Sequence, residues 1–429
     1  MKTISGRPAV KRQSIQLMRD ANRVITRTLI PDDIPRIKRT IERVLSMDDS
    51  QTSAVLENVV KDFAHRHKDL NAVLHNHYQQ VAHHIPKSIP LNDAQKKLIG
   101  AYFTMEYSIE SAALFNPSIV PHPDQTNIPE GNVRFVMSLR ATGEGHISSI
   151  VFRTGIIGKD LSISFDEKSR FAETTEVLRS STEGNSNYTL VFHPDQKLSE
   201  RVIFPVLKCE SKGIEDARFV RFVEDNGTVS YYATYTAYDG FTILPQMIKT
   251  NDFNTLNIIT LNGKAVQNKG MGLFPRKING KYYMLSRQDG ETNRIMISND
   301  LYSWDETQLI QEPKNPWEFV QIGNCGSPIE TKHGWLVMTH GVGAMRKYSI
   351  GAILLDLQDP KKVIARLEEP LLSPNEEERE GYVPNVVYSC GSMIHQGTLI
   401  LPYAMSDITS GVATVDVNEV IECMNPVRQ

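Results

Sequence analysis

The chain has 429 residues, 40% hydrophobic and 23% charged, with a formal net charge of −3. This is globular composition, long enough to bury a substantial core, and no run of eighteen apolar residues occurs, which excludes a membrane-spanning helix. The charge is uneven. Residues 1–120 hold 17 Lys and Arg against 12 Asp and Glu, a surplus of +5 that leaves −8 for the rest; without interleaved aromatics it reads as solvated helix face, not a nucleic-acid arm.

Met1 to Gln13 carry Lys2, Arg7, Lys11 and Arg12 but lead into no apolar run, so a secretory signal is not expected and the protein is expected to be cytoplasmic. Cys209, Cys325, Cys390 and Cys423 are scattered, with no metal-ligand or redox spacing, and are expected to be reduced thiols. Up to about residue 113 the apolar period is helical. Ile34, Ile37, Ile41, Val44 and Leu45 share a face after the start signal Pro31-Asp32-Asp33. A second helix is expected from the Asp49–Thr52 cluster through Phe63. A third carries Leu70, Val73, Leu74 and Val81 and stops before Pro86. Asp93 caps a fourth, expected to carry Leu98, Tyr102, Met105 and Ile109. Residues 1–113 are therefore expected to form a helical module, on which a homo-oligomer could assemble. His65, His67, His75, His77, His83 and His84 crowd into it without the one-face spacing a metal needs, so no metal site is expected.

After Asn116-Pro117 the period becomes two and a repeat emerges. Asn226-Gly227, Asn279-Gly280, His333-Gly334 and Gln396-Gly397 each precede an alternating strand, with glycine spacings of 53, 54 and 63 residues. An earlier copy fits at Glu130-Gly131. Turn glycine followed by alternation is hairpin chemistry, and its recurrence at this interval marks propeller blades. The fold class expected is mostly β: a five-bladed β-propeller over 114–429, preceded by the helical module.

A hairpin returns to the rim where it started, so residues entering and leaving each one should share a level. Those pairs are Asn116 and Arg140, Asp216 and Asp239, Phe274-Pro275 and Arg287, Ser327 and His340, and Asn385 and Asp407. Polar groups converging around the axis of a ring are the usual mark of a binding pocket. Gly213-Ile214-Glu215-Asp216-Ala217-Arg218 is the densest group. Alternation along a strand keeps Glu215 and Asp216 from both facing the pocket; one would act on substrate and the other anchor, or the cluster is a structural salt bridge.

This segment resembles the Gly-x-Glu-Asp-Pro-Arg signature of glycoside hydrolase family 130, the β-mannoside phosphorylases and β-1,2-mannosidases. Tyr-Thr-Ala-Tyr-Asp at 235–239, Leu-Phe-Pro-x-Lys-Ile-x-Gly-Lys-Tyr at 273–282, His340-Gly341-Val342, the Gly-Ala-x-Leu-Leu-Asp-Leu run at 351–357 and Val383-Pro384-Asn385-Val386-Val387 resemble that family in the same order. The resemblance runs from about Asn116 to Ile421. Ala217 departs from its proline, and Ser286-Arg287-Gln288 from the His-Arg-Pro of many phosphorylases.

The resemblance implies inverting cleavage of β-mannosides with Asp216 as general acid. Phosphorolysis would release α-mannose 1-phosphate, with inorganic phosphate as co-substrate and no metal or organic cofactor. Phosphate calls for cationic donors, and Arg140, Arg153, Lys269, Arg287 and His340 are available, with Tyr348 beside them. Asp239 and Asp407, with Asn116 and Asn385, are the candidates for binding the sugar hydroxyls. The alternative, a β-1,2-mannosidase, needs a second carboxylate about 6.5–9.5 Å from the acid to activate water, and Glu215, Glu291 and Glu330 are candidates. A non-catalytic sugar-binding propeller is the third reading; Asp216 and the polar floor around it argue against it.

Overall fold

The computed structural model describes residues 7–179 and 187–427. They fall into two units: Asp20–Ser111 with Ser169–Glu173, and the remainder. Among the described residues no helix is long and apolar enough to cross a membrane.

The smaller unit holds four helices, Ile34–Leu45, Asp49–Phe63, Leu70–Val81 and Asp93–Tyr102. The first starts with Pro35 in its first turn, and the starts of the other three follow from side chains that satisfy the free backbone N–H groups there. Asp48 and Asn92 form capping boxes with Gln51 and Gln95, and Asp69 accepts from the Ala72 amide. Ile37, Ile41, Val44, Tyr78, Val81, Leu98, Ile99 and Phe103 make the core. Gly100 permits the close crossing: a Cβ there would stand 1.8 Å from the Leu74 carbonyl oxygen. The fourth helix is shorter than the sequence pattern predicts. It ends at Tyr102, and Thr104–Ser108 is instead a strand paired with Val24–Thr28, with Thr104 opposite Thr28 and Ser108 opposite Val24. Met105 and Ile109 thus leave the helix, because a β-branched and aromatic stretch finds a partner strand there.

The larger unit is five successive antiparallel groups. They are 113–121, 133–142 and 148–157; then 213–223, 229–238, 243–250 and 255–260; then 272–273, 282–286, 293–298 and 306–311; then 321–324, 334–342, 348–355 and 363–366; and last 387–388, 398–405 and 409–416. A single parallel bridge, Gly213 to Ser148, joins the first two into one hydrogen-bonded sheet. The turns are those the glycines call for. Asn279-Gly280 and Gln396-Gly397 both have positive φ at the two corner residues, as tight hairpins require.

The expected boundary at residue 113 is corrected at its start. Lys11–Leu17 is no part of a helical module; it is a strand that pairs with Thr409–Asp416 on the fifth group. Its alternating half-exposed pattern fits a sheet edge, not a helix face. The long insertion after residue 157 contributes strands 176–179 and 188–191, which extend the second group beyond Thr255–Thr260.

Candidate active site

Two inner strands carry the feature that builds the site. Between Phe115 and Ser118, and again between Glu215 and Arg218, the pairing register slips by a bulge. The bulged residues, Asn116 and Asp216, have left-handed backbones (φ 49° and 55°), and Asn385 on the fifth group has φ 64°. A left-handed non-glycine residue costs energy and persists where its surroundings demand it. Here the two bulges face each other: Asn116 Nδ2 donates to Asp216 Oδ1 at 2.6 Å.

The Asp216 bulge also corrects the alternation argument. Because the strand breaks its pleat there, Glu215 and Asp216 both reach Arg140. One Nη donates to Glu215 Oε1 at 2.8 Å while the other lies 3.6 Å from Asp216 Oδ1. Arg218 approaches from the other side, 3.8 Å from Asp216 Oδ2, and donates to the Asp216 carbonyl and the Tyr388 hydroxyl. Lys269 completes the ring of cations, 3.8 Å from Glu215 Oε2. Burial opposes ionisation of Asp216, yet Arg140, Arg218, Lys269 and the Asn116 amide outweigh it and hold the carboxyl below its ordinary range. Asp407, also half-buried near Arg140, goes the other way. Burial raises it to about 6, Arg140 opposes, and the negative charges of Asp216 and Glu215 reinforce the rise.

Next to Lys269 stands a second cluster. Gly270, left-handed at φ 86°, lies against the Arg287 Cβ. Arg287 is buried, and its Nε has no hydrogen-bond partner among the described residues. Its Nη1 meets His340 Nε2 at 3.2 Å, and His340 Nδ1 faces the Asn324 carbonyl at 3.2 Å. Burial and the charges of Arg287 and Arg218 hold His340 well below its ordinary range. A neutral ring with its proton on Nδ1 donates to Asn324 and accepts from Arg287. Tyr348 stacks on His340 at 5.9 Å, and Tyr388 meets it edge-on at 4.8 Å.

Several expected residues are placed differently. Arg153 pairs opposite Met137, whereas Arg140 pairs opposite Ile150. Three positions along a pleated strand is an odd number, so Arg153 lies on the other sheet face, its guanidinium donating to the Phe152 carbonyl. The Asp239 carboxylate is taken up by a turn, accepting from the Phe241 and Thr242 amides at 2.9 and 2.6 Å. Asn385 Oδ1 accepts from Arg379 Nε at 2.8 Å, and its carbonyl receives the Tyr348 amide. Pro275 and Ser327 lie in a different groove, with Glu330, which is paired to Arg276 at 2.8 Å. At the site's level their counterparts are Gly270 and Asn324, whose side chain donates to the Gly270 carbonyl. Glu291 is exposed. Tyr388 and Asn324 are site residues that sequence reasoning did not single out; Arg218, expected only as a structural partner in the Gly213–Arg218 cluster, stands directly beside Asp216.

A cavity of about 420 Å³ is lined by Arg140 and Glu215, which flank Asp216, and by Asp407, Tyr238, His146 and Tyr382, of which His146 and Tyr382 are exposed and mark its mouth. Among the described residues no group of three or more His, Cys, Asp or Glu converges as metal ligands would.

Comparison with known proteins agrees with this geometry. The family model of glycoside hydrolase family 130, described as beta-1,4-mannooligosaccharide phosphorylase, matches residues 193–426. A 1,2-beta-oligomannan phosphorylase of Thermoanaerobacter sp. strain X514 is 37% identical over 235 residues, 52% of this chain and 75% of that one. A beta-1,2-mannobiose phosphorylase of Listeria innocua is 31% identical over 226 residues, 51% of this chain and 62% of its own. The solved structure of beta-1,2-mannobiose phosphorylase from Listeria innocua, in complex with beta-1,2-mannobiose, superposes with a TM-score of 0.54 at 21% identity, over 74% of this chain and 92% of that one.

Proposed function

The chain belongs to glycoside hydrolase family 130, and from that premise we propose an inverting phosphorylase of β-mannosides that releases α-mannose 1-phosphate. One observation carries the reading. The buried acid candidate Asp216 shares its chamber with Arg140, Arg218 and Lys269, next to Arg287, whose buried Nε is unsatisfied. Such a chamber suits an anionic co-substrate, which needs positioning and charge compensation but no base to activate it. The nearest alternative base for water, Glu215, is already engaged by Arg140 and Lys269, and Glu330 lies in another groove.

In this reading Lys269 and Arg287 hold phosphate, with His340 fixing the Arg287 guanidinium and Tyr348 packing behind it. Asn116 orients Asp216 through its side-chain amide. Asp407 binds the sugar. Asp216 donates the proton that lets the glycosidic oxygen leave, directly or through a hydroxyl of the mannose. It is ionised while the cations face it alone. A bound phosphate dianion compensates those cations and adds its own field, which raises the carboxyl toward its protonated form. Phosphate would thus serve as nucleophile and also bring the acid into its working state.

The scaffold for this chemistry is read as a five-bladed propeller, each antiparallel group a blade. The order of the groups and the closing strand Lys11–Leu17 on the last one support that arrangement. A cytoplasmic setting, where phosphate is plentiful, suits the reaction. The deciding experiment incubates β-mannobioses of different linkage with and without phosphate and identifies the product by NMR. Phosphate-dependent formation of α-mannose 1-phosphate is expected; free mannose at full rate without phosphate would overturn the reading.

A further inference from the structure

The mouth of the cavity beside Asp216 carries two aromatic rings that contribute to no hydrophobic core. His146 and Tyr382 stack at 5.4 Å with 26° between their planes, and Tyr382 is 65% exposed. Phe241, on the turn that follows Tyr238, is 97% exposed. The backbone under both stacked rings is tied down. His146 ends a hairpin tip in which Gly145 and His146 are both left-handed, at φ 62° and 59°. Tyr382 sits between two ties to Ser406, the neighbour of Asp407. The Val383 amide donates to the Ser406 carbonyl at 3.0 Å, and Gly381 packs so tightly that a Cβ would stand 2.4 Å from the same oxygen. The platform is therefore held in register with the acidic floor below it.

We propose that His146 and Tyr382 form the platform that receives the leaving saccharide, the part of the substrate beyond the bond that is cut. The inference rests on the phosphorylase reading of the same site. Aromatic faces suit the C–H-lined face of a pyranose, and an exposed, fixed pair is ready for such a partner. The side is set by the chemistry of inversion, which brings the nucleophile in on the face opposite the departing oxygen. Lys269 and Arg287 do not line this cavity; Arg140, Glu215 and Asp407 do. With phosphate on the Lys269 and Arg287 side of the acid, the departing saccharide falls on the Arg140 side, under His146 and Tyr382.

The test runs the reaction in the synthetic direction, with α-mannose 1-phosphate as donor and a β-mannobiose as acceptor. Tyr382→Ala and His146→Ala should raise the acceptor KM about three- to tenfold, the range expected of an aromatic stacking contact. The donor KM should move far less, and Tyr382→Trp should restore the acceptor KM. An equal rise in both constants, an unchanged acceptor KM, or a Trp variant no better than Ala would overturn the proposal. A second measurement separates this proposal from the activity it rests on. Tryptophan fluorescence of Tyr382→Trp should change on titration with a mannotetraose in phosphate-free buffer, and no change would overturn the platform. A wild-type enzyme without phosphate-dependent activity, by contrast, would remove the phosphorylase reading itself.

Discussion

His340 Nε2 stands 3.2 Å from Arg287 Nη1 while Nδ1 faces the Asn324 carbonyl, so the imidazole takes a hydrogen bond from the guanidinium and passes none to a ligand. The ring acts through Arg287. Arg287→Ala should raise the KM for phosphate about ten- to a hundredfold, the loss expected for a charge-assisted hydrogen bond to a buried anion. His340→Ala should give a smaller rise. Because burial and two arginines keep the imidazole neutral, phosphate KM should show no histidine step between pH 6 and 8. A clear step near the ordinary histidine range, abolished in His340→Ala, would contradict this.

Asp216→Asn is nearly isosteric and keeps the Asn116 contact site, so the fold should survive. The turnover of an unactivated mannobiose should fall about 10²–10⁴-fold, the usual share of general acid catalysis. A variant with a tenth of wild-type turnover would remove Asp216 from the role. Glu215→Gln is the paired control. It weakens the 2.8 Å pair with Arg140 and the contact with Lys269, and is expected to cost more in stability than in chemistry.

The cations around Asp216 make anion binding a proton-linked event. Sulfate is the suitable probe, since it has no titrating proton of its own near neutrality. Calorimetry at mildly acidic pH, in two buffers of different ionisation heat, should show proton uptake as sulfate binds. The groups that respond are Asp216 and Asp407, facing Arg140, Arg218, Lys269 and Glu215. Uptake should be smaller in Asp216→Asn. Equal uptake in wild type and variant would show that the acid does not sense the anion.

Asp407 gives a stability prediction with a definite sign. The folded chain keeps its proton up to about pH 6, whereas an unfolded chain releases it near the ordinary carboxyl value of 3.8. Between those values the native state binds more protons, so this group's contribution to stability falls as pH rises through the window. Asp407→Asn cannot ionise. It should be more stable than wild type by about 1–3 kcal/mol at pH 8, and similar to it near pH 4. Urea unfolding at the two pH values measures the difference; a constant offset would sink the assignment.

Much of this was legible in the residues. Glycine turns followed by alternation located five hairpins, and start signals located three of the four helices to within a residue or two, the fourth being capped by Asn92 and not Asp93, because both signals are local and chemical. Asp216, His340 and Arg287 fell at the right level for the same reason. What was hidden depended on counting along strands. The bulge at Asp216 is not visible in a pattern of alternating residues, so alternation lets only one of Glu215 and Asp216 face the pocket, whereas both reach Arg140. Arg153 lies on a ten-residue strand where an odd step from the level of Arg140 turns it to the opposite face. Ser327 and Pro275 were displaced by the shortness of their inner strands, which moves the entry residue to the other end of the hairpin. Arg218 and Tyr388 meet across strands 170 residues apart, beyond any local signal.

Strand Lys11–Leu17 lies opposite Thr409–Asp416, with Lys11 paired to Thr414. Ribosomes add about 5–20 residues each second, so on the order of twenty seconds to over a minute separates the emergence of these two strands. Through that interval the fifth group's edge does not yet exist, and the early strand has no mate. Lys11 and Arg12 at its start keep it hydrated and unattractive to other edges while it waits. The helical unit, encoded between this strand and all its eventual neighbours, has every residue it needs long before. The chain is therefore expected to mature in two stages, helices early and the fifth β group completed only once residues 409–416 have emerged. A ribosome-bound chain truncated before residue 409 should leave residues 11–17 open to protease, and the finished protein should protect them.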